Sequence, residues 1–499
     1  MTRVRLLAAL AASTALTACA NLAPTPRLDA AVPTAYAEIG EDQTPEAGPP
    51  SSQSSGDIAA WWTLFQDAQL SDLVARAAKG NLDLQQTAAR IVEARQQEIV
   101  AGASSKPQVQ LDTNASRNRI SEHAIPLPPG AGSKGPGAGA SPFGIPGTAF
   151  NSFRAGLDAS WELDLFGGAR NAVAAARART QAAEWTARDL QVALAAEVAD
   201  HYLTLRSLQR REAVAWEELT RQRALLAIVR ARAAQGFVSQ LDVDQQQSLV
   251  DATEARAYPL EAQVRAEIHA LGVLVGETPE ALIPVLTPAA ASPVVPAAPP
   301  PGLPSDLLRR RPDIRKAERN VAAAAADVGA ATAELYPKIT LSGQPGFVST
   351  SLSTLLDWGS RNYTVSAGLL WPILEGGRLR ASLAGANARQ TEALLTYRQA
   401  VLTGLKEVED ALSRYQADEA QRGSLQASLD QARAAEAIAN DQYRAGVVAF
   451  NAVLAAQQAV TTDEDQLAQT EAACGMDVVA LYRALGGGWT EAGHQETTP

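Results

Sequence analysis

The chain carries one pattern twice. Residues 159–276 are echoed by residues 369–486 at a constant offset of 210: Trp161 matches Trp371, Glu197-Val198-Ala199-Asp200 matches Glu407-Val408-Glu409-Asp410, Gly236 matches Gly446 and Gly276 matches Gly486. An earlier stretch repeats at an offset of 230, with Asp83-Leu84 against Asp313-Ile314 and Lys106-Pro107 against Tyr336-Pro337. Each copy reads helix, strand, strand, long helix, helix. Such a duplication restricts the fold more than any single motif, because both copies must build the same supersecondary unit.

Periodicity assigns the parts. Leu73, Ala77, Leu84, Ala88, Ile91 and Ala94 recur at helical spacing and predict one helix over 71–104, ended by Pro107, which has no amide hydrogen. A strand is expected over 108–117. Residues 153–165 alternate without interruption, with Phe153, Leu157 and Trp161 on one face and Arg154, Asp158 and Glu162 on the other. A strand of that kind suits the surface of a soluble sheet or the wall of a transmembrane barrel. Residues 121–147, rich in Gly, Pro, Ala and Ser, read as an exposed loop. No proline falls between 168 and 258, so a helix is predicted from 168 to 235, a turn at Gly236 and a partner helix to 274. The second copy predicts strands over 338–347 and 363–373, then a helix from Gly376-Gly377 to 443, a turn at Gly446 and a return to 485. Leu394, Val401, Leu405, Val408, Leu412 and Tyr415 form a coiled-coil-like seam in it. A helix of roughly 65 residues is about 100 Å long, a rod that no ordinary globular domain needs.

The chain start has the composition of an address. Arg3 and Arg5 precede a short apolar run, and residues 1–18 read as an export signal. Leu16-Thr17-Ala18-Cys19 resembles a bacterial lipobox, which implies a diacylated Cys19; Ala20 in place of Asp implies the outer membrane. Residues 19–65 are then a lipid-anchored tether, 66–278 the first repeat, 279–304 a Pro- and Ala-rich linker without regular structure, 305–488 the second repeat and 489–499 a tail. With 43 basic and 54 acidic residues the net charge is −11, which argues against a nucleic-acid partner. No later run of eighteen apolar residues is present, so no membrane-spanning helix is expected. Cys474 is the one other cysteine and reads as a small buried hydrophobe. The four histidines are scattered, and no HExxH, GxxxxGK or GxSxG pattern occurs. The expectation is a chain that is not an enzyme, with no metal and no cofactor besides the lipid on Cys19.

Four amphipathic strands cannot close a barrel, and an open sheet edge is not tolerated in lipid. The chain is therefore expected to oligomerise. Two copies give eight strands, a barrel filled by its own side chains; three give twelve, around a water-filled lumen lined by Arg154, Asp158 and Glu162, continued by an α-barrel, with Trp161 and Trp371 near the membrane interface. The acids point to cation preference in the lumen.

The run Ser305-Asp306-Leu307-Leu308-Arg309-Arg310-Arg311-Pro312-Asp313-Ile314-Arg315, continuing to Tyr336-Pro337, resembles the lipoprotein branch of TolC-like outer-membrane efflux proteins (NodT/OprM-type). Trp61-Trp62-Thr63-Leu64-Phe65, Asn81-Leu82-Asp83-Leu84 and Tyr443-Arg444-Ala445-Gly446 fit the same branch. The resemblance implies an α+β membrane protein, a homotrimeric channel that exports small molecules and docks to a periplasmic adaptor and an inner-membrane proton-driven pump of the resistance-nodulation-division class. It places the channel gate at the periplasmic tips, on Asp242, Asp244, Tyr443 and Arg444. Ala452 and Ala455 stand where some relatives carry constriction aspartates. Asp242 is equally suited to capping the helix that follows it. Adaptor docking is expected at Gly236-Phe237-Val238-Ser239 and Gly446-Val447-Val448-Ala449, whose apolar side chains are unusual on a free turn. A channel for protein or peptide secretion with an ATP-driven exporter is the alternative, and a lipid-tethered structural coiled coil is a weaker one.

Overall fold

The computed structural model describes residues 26–28, 32–38, 58–119, 121, 149–288, 290–300, 302 and 304–489. The export signal, Cys19 and residues 122–147 of the expected loop lie outside the described residues. In chain order the elements are α1 (Ala68–Gly80), α2 (Leu82–Ala103), β1 (Gln108–Arg119), β2 (Ala149–Leu163), α3 (Gly168–Ala234), α4 (Gln240–Leu274), α5 (Pro312–Ala333), β3 (Lys338–Ser349), β4 (Arg361–Leu370), α6 (Arg378–Arg444) and α7 (Phe450–Ala484).

The duplication is carried into the backbone residue by residue. α2 and α5 both have 22 residues and β1 and β3 both have 12, each pair at the 230 offset. α3 and α6 both have 67 residues and α4 and α7 both have 35, at the 210 offset. A continuous helix of 67 residues is about 100 Å long. All four hairpin helices end alike: Gly236, Gly276, Gly446 and Gly486 have φ between 74° and 79°. The amide after each glycine reaches back to the carbonyl five residues earlier, as Phe237 N does to Arg232 O at 3.0 Å and Val447 N to Gln442 O at 2.9 Å. This is the Schellman closure, and its left-handed position is open to glycine at little cost.

Four expectations need correction. The single helix over 71–104 is two helices, because Asn81 is extended (φ −60°, ψ 127°) and starts a new one. Residues 279–304 include a helical turn, Ile283–Leu286, where no regular structure was expected. β2 starts at Ala149 and β4 ends at Leu370, so neither strand keeps its predicted limits. The tether expected over 19–65 is not free throughout. Residues 32–38 lie against α6, where Ala37 N and Glu38 N donate to the Glu409 carboxylate at 2.7 and 3.1 Å, and Gln416 Nε2 donates to Glu38 O at 2.9 Å.

The described residues form two compact units, those within 94–179 and 321–392 in one, and those within 27–93, 180–320 and 393–489 in the other. Each draws on both repeats. The first holds the four-stranded sheet. The second is helical, and its core is built on the Trp61–Phe65 turn. Trp61 is fully buried, stacks on Tyr482 at 5.6 Å and packs edge-on against Phe65. Leu70, Tyr202, Leu205, Ile268, Leu271 and Val478 complete this core.

The same joint is made twice in the helical unit. Asn81, between α1 and α2, donates from Nδ2 to Leu274 O at the end of α4 (3.0 Å) and accepts from Asp83 N and Leu84 N. Arg311, at the equivalent position before α5, donates from Nη1 to Ala484 O at the end of α7 (2.9 Å). Leu274 and Ala484 are themselves repeat equivalents. Each side chain thus satisfies a carbonyl that a helix end leaves without a partner. Arg311 also pairs with Asp313 and Glu407, both at 2.7 Å. With its guanidinium buried, these carboxylates hold it firmly in the charged form. Replacing Arg311 by Ala strands both acids and is expected to cost about 2–4 kcal/mol. Arg311→Lys, lacking the planar fork, restores part of it. Thermal unfolding followed by helical circular dichroism measures both.

One acid of the core works against the fold. Asp477 on α7 is 7 % exposed, with Asp418 beside it. Burial and then that neighbouring charge push its carboxyl up to about 6 from an ordinary 3.8. Ionisation is therefore harder in the folded chain, and stability falls as pH rises through this range. Asp477→Asn is expected to raise the unfolding midpoint at pH 8, with the gain vanishing as pH approaches 4.

Candidate functional site

The sheet has order β1-β2-β3-β4, antiparallel throughout. Its register decides which side chains share a face. Leu111 faces Leu157, Trp161 faces Leu341, and Gly343 faces Val365. Alternation then puts Val109, Leu111, Phe153, Leu157, Trp161, Ile339, Leu341, Tyr363, Val365 and Leu369 on one side. The other side carries Gln110, Asp112, Asn114, Arg154, Asp158, Glu162, Thr340, Ser342, Thr364 and Ser366. The three residues expected to line a lumen, Arg154, Asp158 and Glu162, therefore share the polar face. Arg154 lies 3.7 Å from Asp158 and 3.9 Å from Asp112, and the Ser342 and Ser366 hydroxyls meet at 2.7 Å. The apolar face is not a core: Leu111 is 72 % exposed and Val365 81 %. Asp112 was absent from the expected set, although the alternation of β1 held the signal.

The corners between helix and sheet repeat as well. Trp161 Nε1 donates to Ser105 O at 3.0 Å and Trp371 Nε1 to Leu335 O at 3.3 Å. Each indole anchors the helix end that precedes Pro107 or Pro337.

Where α3 and α6 end, the two hairpin turns meet. A cleft of about 520 Å³ is lined by Gly236, Phe237, Val238, Ser239 and Asp242 of the first turn and Tyr443, Ala449 and Phe450 of the second. Tyr443 packs on Phe450 at 5.4 Å, and the Arg232 guanidinium sits 5.1 Å from its ring centre. Phe237 is 76 % exposed and Val447 72 %. Val238 is half-buried and packs on the core beneath. Val448 is also half-buried. Of the expected tip residues, Asp244, Arg444, Gly446, Val447 and Val448 stay outside the cleft lining. Asp244 accepts from Gln240 Nε2 at 2.9 Å, and Arg444 pairs with Asp441 at 3.6 Å on the surface.

Asp242 is placed by a capping box. Ser239 N donates to its carboxylate at 2.9 Å while the Ser239 hydroxyl accepts from Asp242 N at 3.3 Å. The second turn has no counterpart: Ala449 and Ala452 occupy the equivalent positions, and α7 starts without a side-chain cap. Ser239→Ala is expected to cost about 1 kcal/mol at the start of α4, and Ala449→Ser to add up to about that at the start of α7. Amide exchange over the first turn of each helix reads both, faster in the first variant and slower in the second.

Among the described residues no cluster of His, Cys, Asp and Glu has the shape of a metal site, and no helix is long and apolar enough to cross a membrane.

The pattern defining the outer membrane efflux protein family matches residues 73–277 and 303–487. The chain is 35 % identical over 489 residues, 98 % of each chain, to the pyoverdine export outer membrane protein OpmQ of Pseudomonas putida. It is 31 % identical to the toluene efflux pump outer membrane protein TtgF from another strain of Pseudomonas putida, over 90 % of this chain and 89 % of that one. The fold is similar to the outer-membrane channel OprN, with a TM-score of 0.82 and 33 % identity, covering 94 % of this chain and 99 % of the other.

Proposed function

The chain belongs to the outer membrane efflux protein family, and from that premise we infer that it is the outer-membrane channel of a tripartite efflux system, a homotrimeric conduit from an inner-membrane pump to the exterior. The observation that carries this reading is the two-faced sheet with two open edges. Among the described residues β1 and β4 each pair on one side only. In lipid every unpaired backbone group costs several kcal/mol, so the edges must be joined to further copies. Three copies give twelve strands, with the apolar face toward lipid and the Arg154, Asp158 and Glu162 face toward water. The long helices of three copies would continue that wall as an α-barrel. Cys19 would anchor each chain to the same membrane through its lipid.

A proton-driven pump and a periplasmic adaptor complete the system. The relatives carry unlike cargo names, pyoverdine and toluene, at 35 % and 31 % identity. That supports a conduit whose cargo is chosen by the pump. Crosslinking in intact cells followed by mass spectrometry tests the assignment: an adaptor encoded beside a proton-driven pump is expected. Recovery of an adaptor for an ATP-driven exporter would move the reading to protein or peptide secretion, and a monomer in native mass spectrometry would reject the channel.

The tip cleft and the exposed turn residues beside it are the proposed gate and docking surface. Phe237 and Val447 are large apolar groups held out in water by rigid Schellman turns, which suits a contact with the adaptor. Val447→Glu is expected to weaken adaptor capture at least about tenfold, as expected for a buried contact made charged, while the trimer stays intact. The gate itself is assigned to Asp242, with Asp244, Tyr443 and Arg444 near it. Asp242→Asn keeps a capping oxygen and removes the charge. A longer open time in planar bilayers is expected, and unchanged closure would leave Asp242 with capping alone.

A further inference from the structure

A second pocket, about 450 Å³, lies in the helical unit between α3, α6, α7 and residues 292–295 of the linker. Leu203, Val294 and Val295 supply an apolar wall, and Arg206, Arg210 and Arg422 line it together with one carboxylate, Glu471. Two of the cations are matched, Arg210 by Glu471 and Arg422 by Glu419. Arg206 is not. It is 2 % exposed, and its guanidinium donates only to neutral oxygens, those of Gln209, Gln69 and Pro288. It lies 4.9 Å from the Tyr202 ring centre, and its Nε has no acceptor. The Asp67 carboxylate reaches it only through the Tyr202 hydroxyl, which donates to Asp67 at 2.8 Å, and among the described residues no carboxylate pairs with it directly; burying a cation without a direct countercharge is expensive. The linker wall is fixed beforehand: Val294 N donates to Phe65 O at 3.2 Å and Ala298 N to the Tyr415 hydroxyl at 3.4 Å.

We propose that this pocket binds a small amphipathic carboxylate. Its head group is held by Arg422, whose planar fork matches a carboxylate, within the field of Arg206, and its apolar body lies against Leu203, Val294 and Val295. The volume is in the range of small-molecule sites. The bound acid ties the linker to α3 and α6, so it also stabilises the fold. No part of the tip cleft or of the sheet enters the site, and its test is independent of the efflux assignment.

Equilibrium dialysis of 2-naphthoate against the full protein in lipid nanodiscs tests this, with 2-naphthamide as the uncharged control. Saturable binding of the acid is expected, about tenfold or more tighter than the amide, the size of one charge-assisted hydrogen bond. Arg422→Gln removes a half-exposed cation and Val295→Trp fills the pocket. Both are expected to weaken binding by a similar factor and to abolish the rise in unfolding temperature that 2-naphthoate produces, with unchanged helical circular dichroism. Equal binding of acid and amide, unaltered binding in both variants, or displacement by inorganic sulfate at equal concentration would overturn the proposal.

Discussion

The helical unit depends on how its long hairpins are fastened where they end. A helix terminus leaves four carbonyls without partners, and α4 and α7 end inside the packed unit. Asn81 and Arg311 solve this at equivalent places in the two repeats, each from an extended residue immediately before a helix. The break in the first helix is thus a requirement of the joint. Continuing the helix through Asn81 would turn its amide away from Leu274. The two solutions differ in chemistry. Asn81 is neutral and doubles as an N-cap, whereas Arg311 brings a charge inside and needs Asp313 and Glu407 beside it. Gene duplication has kept the geometry and let the side chains diverge.

Much of the architecture was legible in the sequence because it rests on period and punctuation. The alternation in 153–165 placed Arg154, Asp158 and Glu162 on one face, and the sheet register agrees. Gly236 and Gly446 marked the turns of the long hairpins because a left-handed backbone needs glycine, and Gly276 and Gly486 hold the same conformation at the ends of α4 and α7. What escaped was tertiary. Asn81 sits in an unbroken helical period, since a capping asparagine needs no change in the apolar spacing around it. The docking of residues 32–38 on Glu409 joins positions more than 370 apart, and nothing local announces it. Arg206 looked like one more charge on a long helix, yet it is buried, and among the described residues no carboxylate pairs with it directly.

At the tips, sequence and structure inform one another. Asp242 was open to two roles, and its capping geometry is now visible. The repeat that lacks Ser239 and Asp242 has Ala449 and Ala452, so the two turns share a backbone and differ in the strength of their helix starts. Their shared cleft sits between one well-capped and one bare helix end.

The open-edged sheet also constrains the order in which this protein can be made. A protomer that folded its strands alone in the periplasm would present two unpaired edges and a bare apolar face, the surface on which extended chains aggregate. In the proposed trimer, strand pairing has therefore to wait for both lipid and neighbours. Its rate would then rise with the local density of chains at the membrane, and the proposed anchor on Cys19 would accelerate the last step of folding by raising that density.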